Sequence, residues 1–237
     1  MFACGPALIT PVSATVAHDP YFSDVVLLLH LDGANGSTTI TDSSSSLKTV
    51  TANGAAQIST ARSVFGGASL RLTAYSDFLS LPNSSDFDFG TGDFTIEARC
   101  YCISTGTSGG NIFGRWGLGP TTSADFILAI AGGNLVFPIN GGAVTLASPS
   151  TFPLNVYKHV AVTRSGTTFK LWLDGALQDT QTSSAAIQNT LAQPIRVGIW
   201  NDSTSSLNGY IDEIRITKGV ARYTAAFTPP TSASPNA

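Results

Sequence analysis

Apolar and polar residues alternate with a period of two from residue 25 onward, and no stretch of twelve or more residues shows a convincing helical period. The segment 94–102 is the clearest case, and we expect a strand with one buried and one polar face. Its two cysteines are expected to be core residues, because no second Cys or His pair follows at zinc spacing. The predicted buried face consists of Phe94, Ile96, Ala98, Cys100 and Cys102.

Turn-forming dipeptides separate many short strands, and no helical segment lies between them. Such a pattern predicts an all-β chain folded as two packed antiparallel sheets. We expect one domain over residues 25–227, preceded by an N-terminal arm, 1–24, and followed by a C-terminal tail, 228–237. Further strands are predicted at 25–31, 48–52, 69–73, 78–81, 112–116, 126–131, 134–139, 143–147, 158–164, 168–173, 195–200 and 210–218.

The low charge content restricts the kinds of partner. Charged residues make up 11% of the chain, against about 25% in typical soluble domains. Hydroxyl and amide side chains fill the gap, which suits extracellular or particle-bound β-proteins. The net charge of −3 leaves no basic stripe, so we expect no nucleic-acid partner. The longest apolar run, 25–29, is too short to span a bilayer, and we expect no membrane partner.

Residues 1–24 resemble a leader only superficially. The segment has no positively charged stretch at its start, and Pro6 and Pro11 interrupt its apolar residues. We therefore expect an arm that docks on a neighbouring protein.

Three segments resemble the laminin-G-like, concanavalin-A-like jelly-roll superfamily. Residues 157–175 are similar to its central hairpin, with a Ser165-Gly166 turn between the strands and an Asp174-Gly175 turn after them. Gly92-Asp93-Phe94-Thr95-Ile96-Glu97-Ala98 resembles its strand entering the core, and Gly209-Tyr210-Ile211-Asp212-Glu213-Ile214-Arg215-Ile216 resembles its closing strand. The resemblance implies an antiparallel jelly-roll sandwich over nearly the whole chain.

A narrower resemblance concerns laminin-G-like proteins of tailed phages and prophages. It is carried by Asp19-Pro20-Tyr21-Phe22 leading into the segment 25–33, and by the closing segments 217–223 and 227–229. The resemblance implies a structural protein of the virion surface, on a head, fibre or tail. Its expected partners are other virion proteins, reached through the arm, and further copies of itself, for example in a trimer. The alternative is an adhesin that recognises a host or environmental glycan.

Two aspartates form a candidate calcium site. Asp212 shares the apparently apolar face of the last strand with Tyr210, Ile214 and Ile216, and Asp32 ends the first strand. First and last strands pair in many jelly rolls, which would bring Asp32 and Asp212 together. Adjacent carboxylates repel unless one is protonated or a cation lies between them, and calcium is the fitting cation. Laminin-G-like relatives often carry calcium near this edge. Separate pairing with arginine or backbone groups is the alternative.

Aromatic side chains next to planar polar groups form a candidate glycan site. Trp116, Trp200 and Tyr210 could stack on sugar rings, while Asn201 and Asp202 provide polar contacts. Alternatively, the two tryptophans only close the ends of the core.

Catalysis is not expected. Glycosidases use a pair of carboxylates, and the jelly-roll hydrolases typically place them on one strand. The chain has only two glutamates, Glu97 and Glu213, each with an arginine two positions later, Arg99 and Arg215. We expect both to form ion pairs on the sheet surface.

Overall fold

The computed structural model describes residues 18–106, 109–116, 124–187, 193–199 and 205–237. Short 3-10 turns at Phe22–Asp24, Ser85–Phe87 and Asn140–Gly142 are the helical elements of this part of the chain. No helix within the described ranges is long and apolar enough to cross a membrane. The strands are β1 Val25–Leu29, β2 Thr51–Asn53, β3 Gln57–Ser59, β4 Ser69–Leu72, β5 Phe78–Leu81, β6 Phe94–Thr105, β7 Gly110–Trp116, β8 Ala124–Ala131, β9 Asn134–Ile139, β10 Val144–Thr151, β11 Tyr157–Ser165, β12 Thr168–Leu173, β13 Ala176–Thr182, β14 Ile195–Val197 and β15 Leu207–Lys218.

The strands form two antiparallel sheets, which confirms the predicted jelly-roll sandwich. One sheet has the order β13-β12-β11-β6-β15-β4-β3, with β1 also paired to β15, and the other has the order β10-β9-β8-β7-β14-β5-β2. We call them the eight-stranded and the seven-stranded sheet. The first and last strands pair as expected, with Leu29 opposite Ile214. Two strands, β3 and β13, were not predicted.

The core lies between the sheets. The five residues predicted for the buried face of β6 are at most 1% exposed and belong to the main apolar cluster. Removal of each large apolar side chain from water contributes about 1.5–3 kcal/mol. Cys100 and Cys102 are free thiols in this core, and burial raises the pKa of both, that of Cys102 to about 11. Neither thiol is therefore a reactive nucleophile.

The opposite face of β6 was expected to be an exposed polar surface, and this expectation is wrong. Thr95 and Glu97 are buried, because the chain after β15 crosses the outer face of the eight-stranded sheet. Within this crossing segment, Tyr223 and Phe227 stack with their ring centroids 3.6 Å apart, and Phe227 packs against Trp172 at 5.6 Å. The tail 228–237 follows the same face.

A β-bulge in β15 overturns the predicted alternation of that strand. Glu213 has a φ of 52°, and the register with β6 shifts between Asp212 and Arg215. The extra residue reverses the direction in which the following side chains point. Ile214 and Ile216, which follow the bulge, therefore point into the core. Tyr210 and Asp212, which precede it, lie on the outer face, opposite Tyr101 and Arg99 on β6. The core residues of this strand are Leu207, Ile211, Ile214 and Ile216.

Candidate functional site

Asp212 is a fully buried carboxylate with one oxygen unsatisfied. Its Oδ2 accepts hydrogen bonds from the backbone N–H of Val64 at 2.7 Å and of Phe65 at 3.3 Å. Its Oδ1 has no hydrogen-bond partner among the described residues. The pKa of Asp212 is raised to about 7, mainly by burial and in addition by the charges of Glu213 and Asp32. The predicted pair of aspartates therefore interacts electrostatically.

Asp32 lies against the backbone of Gly66. A Cβ on Gly66 would stand 1.8 Å from Oδ1 of Asp32, and φ at Gly66 is +60°, so only glycine fits here. Burial raises the pKa of Asp32, and the charge of His30 counteracts this rise. The approach of the 64–66 loop thus brings backbone groups to both aspartates.

His30 supplies positive charge beside the two aspartates. Its Nδ1 lies 2.7 Å from Oε1 of Glu213, and its Nε2 lies 2.7 Å from Oδ1 of Asn236. The hydrogen bond with Glu213 is the main cause that raises the pKa of His30 to about 9. The imidazolium therefore offsets part of the negative charge at this edge.

The donor set fits calcium in part. Asp32 and Asp212 provide carboxylate oxygens, and Oδ1 of Asp212, which has no hydrogen-bond partner in the described part of the chain, is a candidate ligand atom. No group of three or more His, Cys, Asp or Glu side chains in the described ranges is arranged to hold a metal ion. Calcium takes six to eight oxygens, so backbone carbonyls would have to supply most of them.

Both glutamates are engaged in ion pairs, but not in the expected places. Glu97 is buried and pairs with Arg215 at 2.8 Å, and it also contacts His159 at 3.0 Å and Tyr223 at 2.7 Å. Glu213 pairs with His30. Burial alone would raise the pKa of Glu97, but the charge of Arg215 and the hydrogen bond with His159 hold it at about 2. The prediction that Glu97 pairs with Arg99 and Glu213 with Arg215 on the sheet surface is therefore wrong.

The predicted aromatic residues do not form one platform. Trp116 ends β7 in the seven-stranded sheet, where it packs with Val136 against Ile127 and Ala129 in a cluster separate from the main core. Tyr210 lies on the outer face of the eight-stranded sheet, 6.0 Å from the ring of Tyr101. The two side chains thus belong to opposite faces of the sandwich.

The remaining predicted glycan contacts, Trp200, Asn201 and Asp202, lie outside the described residues. The positions that flank them are described, and Ile199 and Ser206 form an isolated antiparallel bridge. This bridge places the start and the end of the 200–205 loop next to each other.

Sequence reasoning missed Tyr75. This side chain is 46% exposed and lies in the turn between β4 and β5. Asp77, two residues later, is fully buried and accepts hydrogen bonds from the backbone N–H groups of Thr73 and Ala74. An aromatic residue in a turn of small polar residues, followed by an aspartate that can cap the turn, was the available signal.

Comparison with known families and structures agrees with this architecture. The family model described as the concanavalin A-like lectin/glucanases superfamily matches residues 73–222. No curated protein matches the sequence.

Three of the solved structures that share this fold are domains of larger proteins. Domain 4 of AbnA, an extracellular arabinanase of Geobacillus stearothermophilus crystallised with arabinotriose, matches with a TM-score of 0.63 and 15% identity, over 86% of this chain and 96% of that domain. The binding domain of Paraclostridial Mosquitocidal Protein 1 also has a TM-score of 0.63, with 16% identity, over 84% of this chain. The receptor-binding domain of a botulinum neurotoxin C/D mosaic has a TM-score of 0.58 and 16% identity, over 84% of this chain.

The chain spans about half the length of the two toxin domains, 50% and 49%. At these identities the structures show a shared fold. The family match covers more than half of the sequence, and two antiparallel sheets form the sandwich. The chain belongs to the concanavalin A-like lectin/glucanases superfamily.

Proposed function

We propose that this protein is a non-catalytic carbohydrate-binding module. One observation carries the proposal: Trp116 lies on the outer face of the seven-stranded sheet, while both glutamates form ion pairs on the other sheet. Trp116 is half-buried there, so its apolar surface is held in place and still partly open to solvent. Aromatic faces beside neutral polar groups are suited to stacking on sugar rings.

The arrangement of acidic groups supports a role in binding. A retaining glycosidase needs an acid and a nucleophile about 5 Å apart, each tuned to its role. Glu97 is held ionised beneath the crossing segment, and Glu213 pairs with His30. The arabinanase domain, which shares the fold along nearly its full length, was crystallised with arabinotriose.

A glycan array tests the proposal. The purified full chain should bind a restricted set of oligosaccharides saturably, and the bound sugar should be recovered without cleavage products. At least one of Trp116→Ala and Tyr75→Ala should weaken that binding, whereas Leu177→Ala, which changes an exposed side chain on the eight-stranded sheet, should not. Absence of saturable binding by folded protein, or cleavage of the bound sugar, would overturn the proposal.

We further propose that the module is carried on a virion surface, as one subunit of a homo-oligomer such as a trimer. The two segments that resemble phage proteins support this assignment, because they contact each other: Asp19 pairs with Arg222 at 2.7 Å. Residues 1–17 would dock on a neighbouring virion protein. They lie outside the described residues.

Particle composition tests this setting. Mass spectrometry of purified particles should find the chain in stoichiometric amount, and light scattering should give the mass of an oligomer. Deletion of residues 1–17 should abolish incorporation. The deletion should stop before Asp19, since that residue is buried in the domain. Unchanged incorporation would contradict the docking role of the arm.

We also propose that calcium binds at Asp32 and Asp212. The unsatisfied Oδ1 of Asp212 supports this assignment. The ion would neutralise the two carboxylates and fix the 64–66 loop against β1 and β15.

A further inference from the structure

The turn that carries the exposed Tyr75 side chain is fastened to the domain by hydrogen bonds. Beyond its bonds to the backbone of Thr73 and Ala74, Asp77 accepts hydrogen bonds from the N–H of Ala55 at 2.8 Å and from the Ser76 hydroxyl at 3.1 Å. One buried carboxylate thus fastens the whole turn that carries the ring. A rigid aromatic side chain loses little conformational entropy when a ligand binds.

A second loop supports the same turn. Gly54 has a φ of +64°, and a Cβ there would stand 2.2 Å from the backbone oxygen of Ser76. The glycine lets the β2–β3 turn approach the Tyr75 turn more closely than any side chain would allow. Tyr75 is therefore fixed from two sides, by a hydrogen-bonded carboxylate and by backbone packing.

Tyr75 lines two clefts. The first has a volume of about 350 Å³, and the second about 160 Å³. The first is lined by Asn53, Phe78, Arg196 and Ile199, and the second by Thr73, Ser104, Ser206 and Asn208.

The chemistry of the clefts is mostly uncharged. Among the described residues, Arg196 is the one charged side chain that lines the first cleft, and the described lining of the second contains none. Hydroxyl and amide groups both donate and accept hydrogen bonds, as a sugar ring requires. An anionic ligand in the second cleft would lose hydration without gaining a counter-charge.

We propose that Tyr75 is the stacking platform of a binding site for a neutral oligosaccharide that extends over both clefts. This inference rests on the proposed carbohydrate-binding function and assigns it a site and a ligand class. One sugar ring stacks on Tyr75, and its neighbours along the chain lie in the two clefts. A ligand that occupies both clefts needs at least two rings.

Binding of defined sugars to the immobilised full chain tests the site. The probes are arabinotriose, maltotriose and chitotriose as neutral sugars, their monosaccharides, and sialyllactose as an anionic sugar. At least one neutral trisaccharide should bind about tenfold or more tightly than its monosaccharide. Tyr75→Ala should weaken that binding at least about tenfold, and Asn208→Ala should weaken it less. Tyr21→Ala removes a ring that is 43% exposed elsewhere on the molecule, and it should change binding less than about twofold.

Each outcome supports or overturns a separate claim. Wild-type affinity in Tyr75→Ala, together with loss in Trp116→Ala, would place the sugar at Trp116, so this inference would fail and the proposed function would stand. Tyr75-dependent binding of sialyllactose alone would overturn the neutral ligand class. Failure of the wild type on this panel and on the array would overturn the function and the site together. Thermal melting of each variant confirms that it is folded.

Discussion

Arg222 donates to both oxygens of the Asp19 carboxylate, from Nη1 to Oδ1 at 3.0 Å and from Nη2 to Oδ2 at 2.7 Å. Asp19 precedes the first strand and Arg222 follows the last, so the pair joins the segments that enter and leave the sandwich. Arg215 links this pair to Glu97, because its guanidinium lies 3.2 Å from the carboxylate of Asp19 and 2.8 Å from that of Glu97. The resulting network fixes the crossing segment on the eight-stranded sheet.

Removal of the Asp19 charge should destabilise the domain. Asp19→Asn leaves Arg215 and Arg222 without one of their buried counter-charges, which we expect to lower the free energy of unfolding by about 3 kcal/mol. Urea denaturation monitored by tryptophan fluorescence measures the change. Asp24→Asn, in the same segment, is the control and should shift the midpoint little. Equal effects of the two substitutions would contradict the network's role.

Glu97 should determine part of the acid stability. Its pKa is about 2 in the folded protein and 4.5 ordinarily, so its ionisation stabilises the fold above about pH 4.5. That contribution is lost progressively as the pH falls from 4.5 towards 2. Glu97→Gln should remove this part of the acid limb in melting curves between pH 2 and pH 7. An unchanged acid limb in Glu97→Gln would show that Glu97 does not contribute to it.

Asp212 should act in the opposite direction. Its pKa rises from 3.8 to about 7 on folding, so the folded protein binds the proton more tightly than the unfolded chain. In the presence of a chelator, stability should therefore fall as the pH rises from about 4 to about 7, and then level off. Asp212→Asn should flatten this slope and stabilise the protein at pH 8 by roughly 1–2 kcal/mol. An identical slope in Asp212→Asn would contradict the assignment.

Calcium should reverse the loss of stability that accompanies ionisation of Asp212. Added calcium should raise the melting temperature relative to chelated protein, and more at pH 8 than at pH 5.5, since the ion competes with the proton on Asp212. Asp32→Asn should reduce the gain. Magnesium is the matched control, because it prefers a smaller octahedral shell and retains its water. A melting temperature that does not respond to calcium at pH 8 would rule out the site.

The fold could be predicted from the sequence wherever a residue pattern is compatible with only one structure. Alternation along β6 specified a buried face, and the first and last strands paired as expected. The covering of Thr95 and Glu97 was hidden, because a polar face has the same pattern under solvent or under another segment. The bulge at Glu213 was hidden because no glycine marks it.

The candidate site was less predictable for a similar reason. Side-chain type nominates an aromatic residue, but the sheet decides its direction, and Trp116 and Tyr210 proved to lie on opposite faces. The position of the Tyr75 turn depends on contacts with Ala55 and Gly54, about twenty residues away in the sequence. Such long-range contacts cannot be predicted from the local sequence, because they depend on how the strands are arranged.

The hydrogen bond from the N–H of Asp19 to the backbone oxygen of Ala237 has a practical consequence, since its length is only 2.8 Å. Residues 19 and 237 can be joined by a linker of a few glycines without distorting either segment. A circular permutant joined in this way, and reopened at the Gly132-Gly133 hairpin, should retain the sandwich. The new chain ends would lie between β8 and β9, so a fused partner would be attached at the seven-stranded sheet.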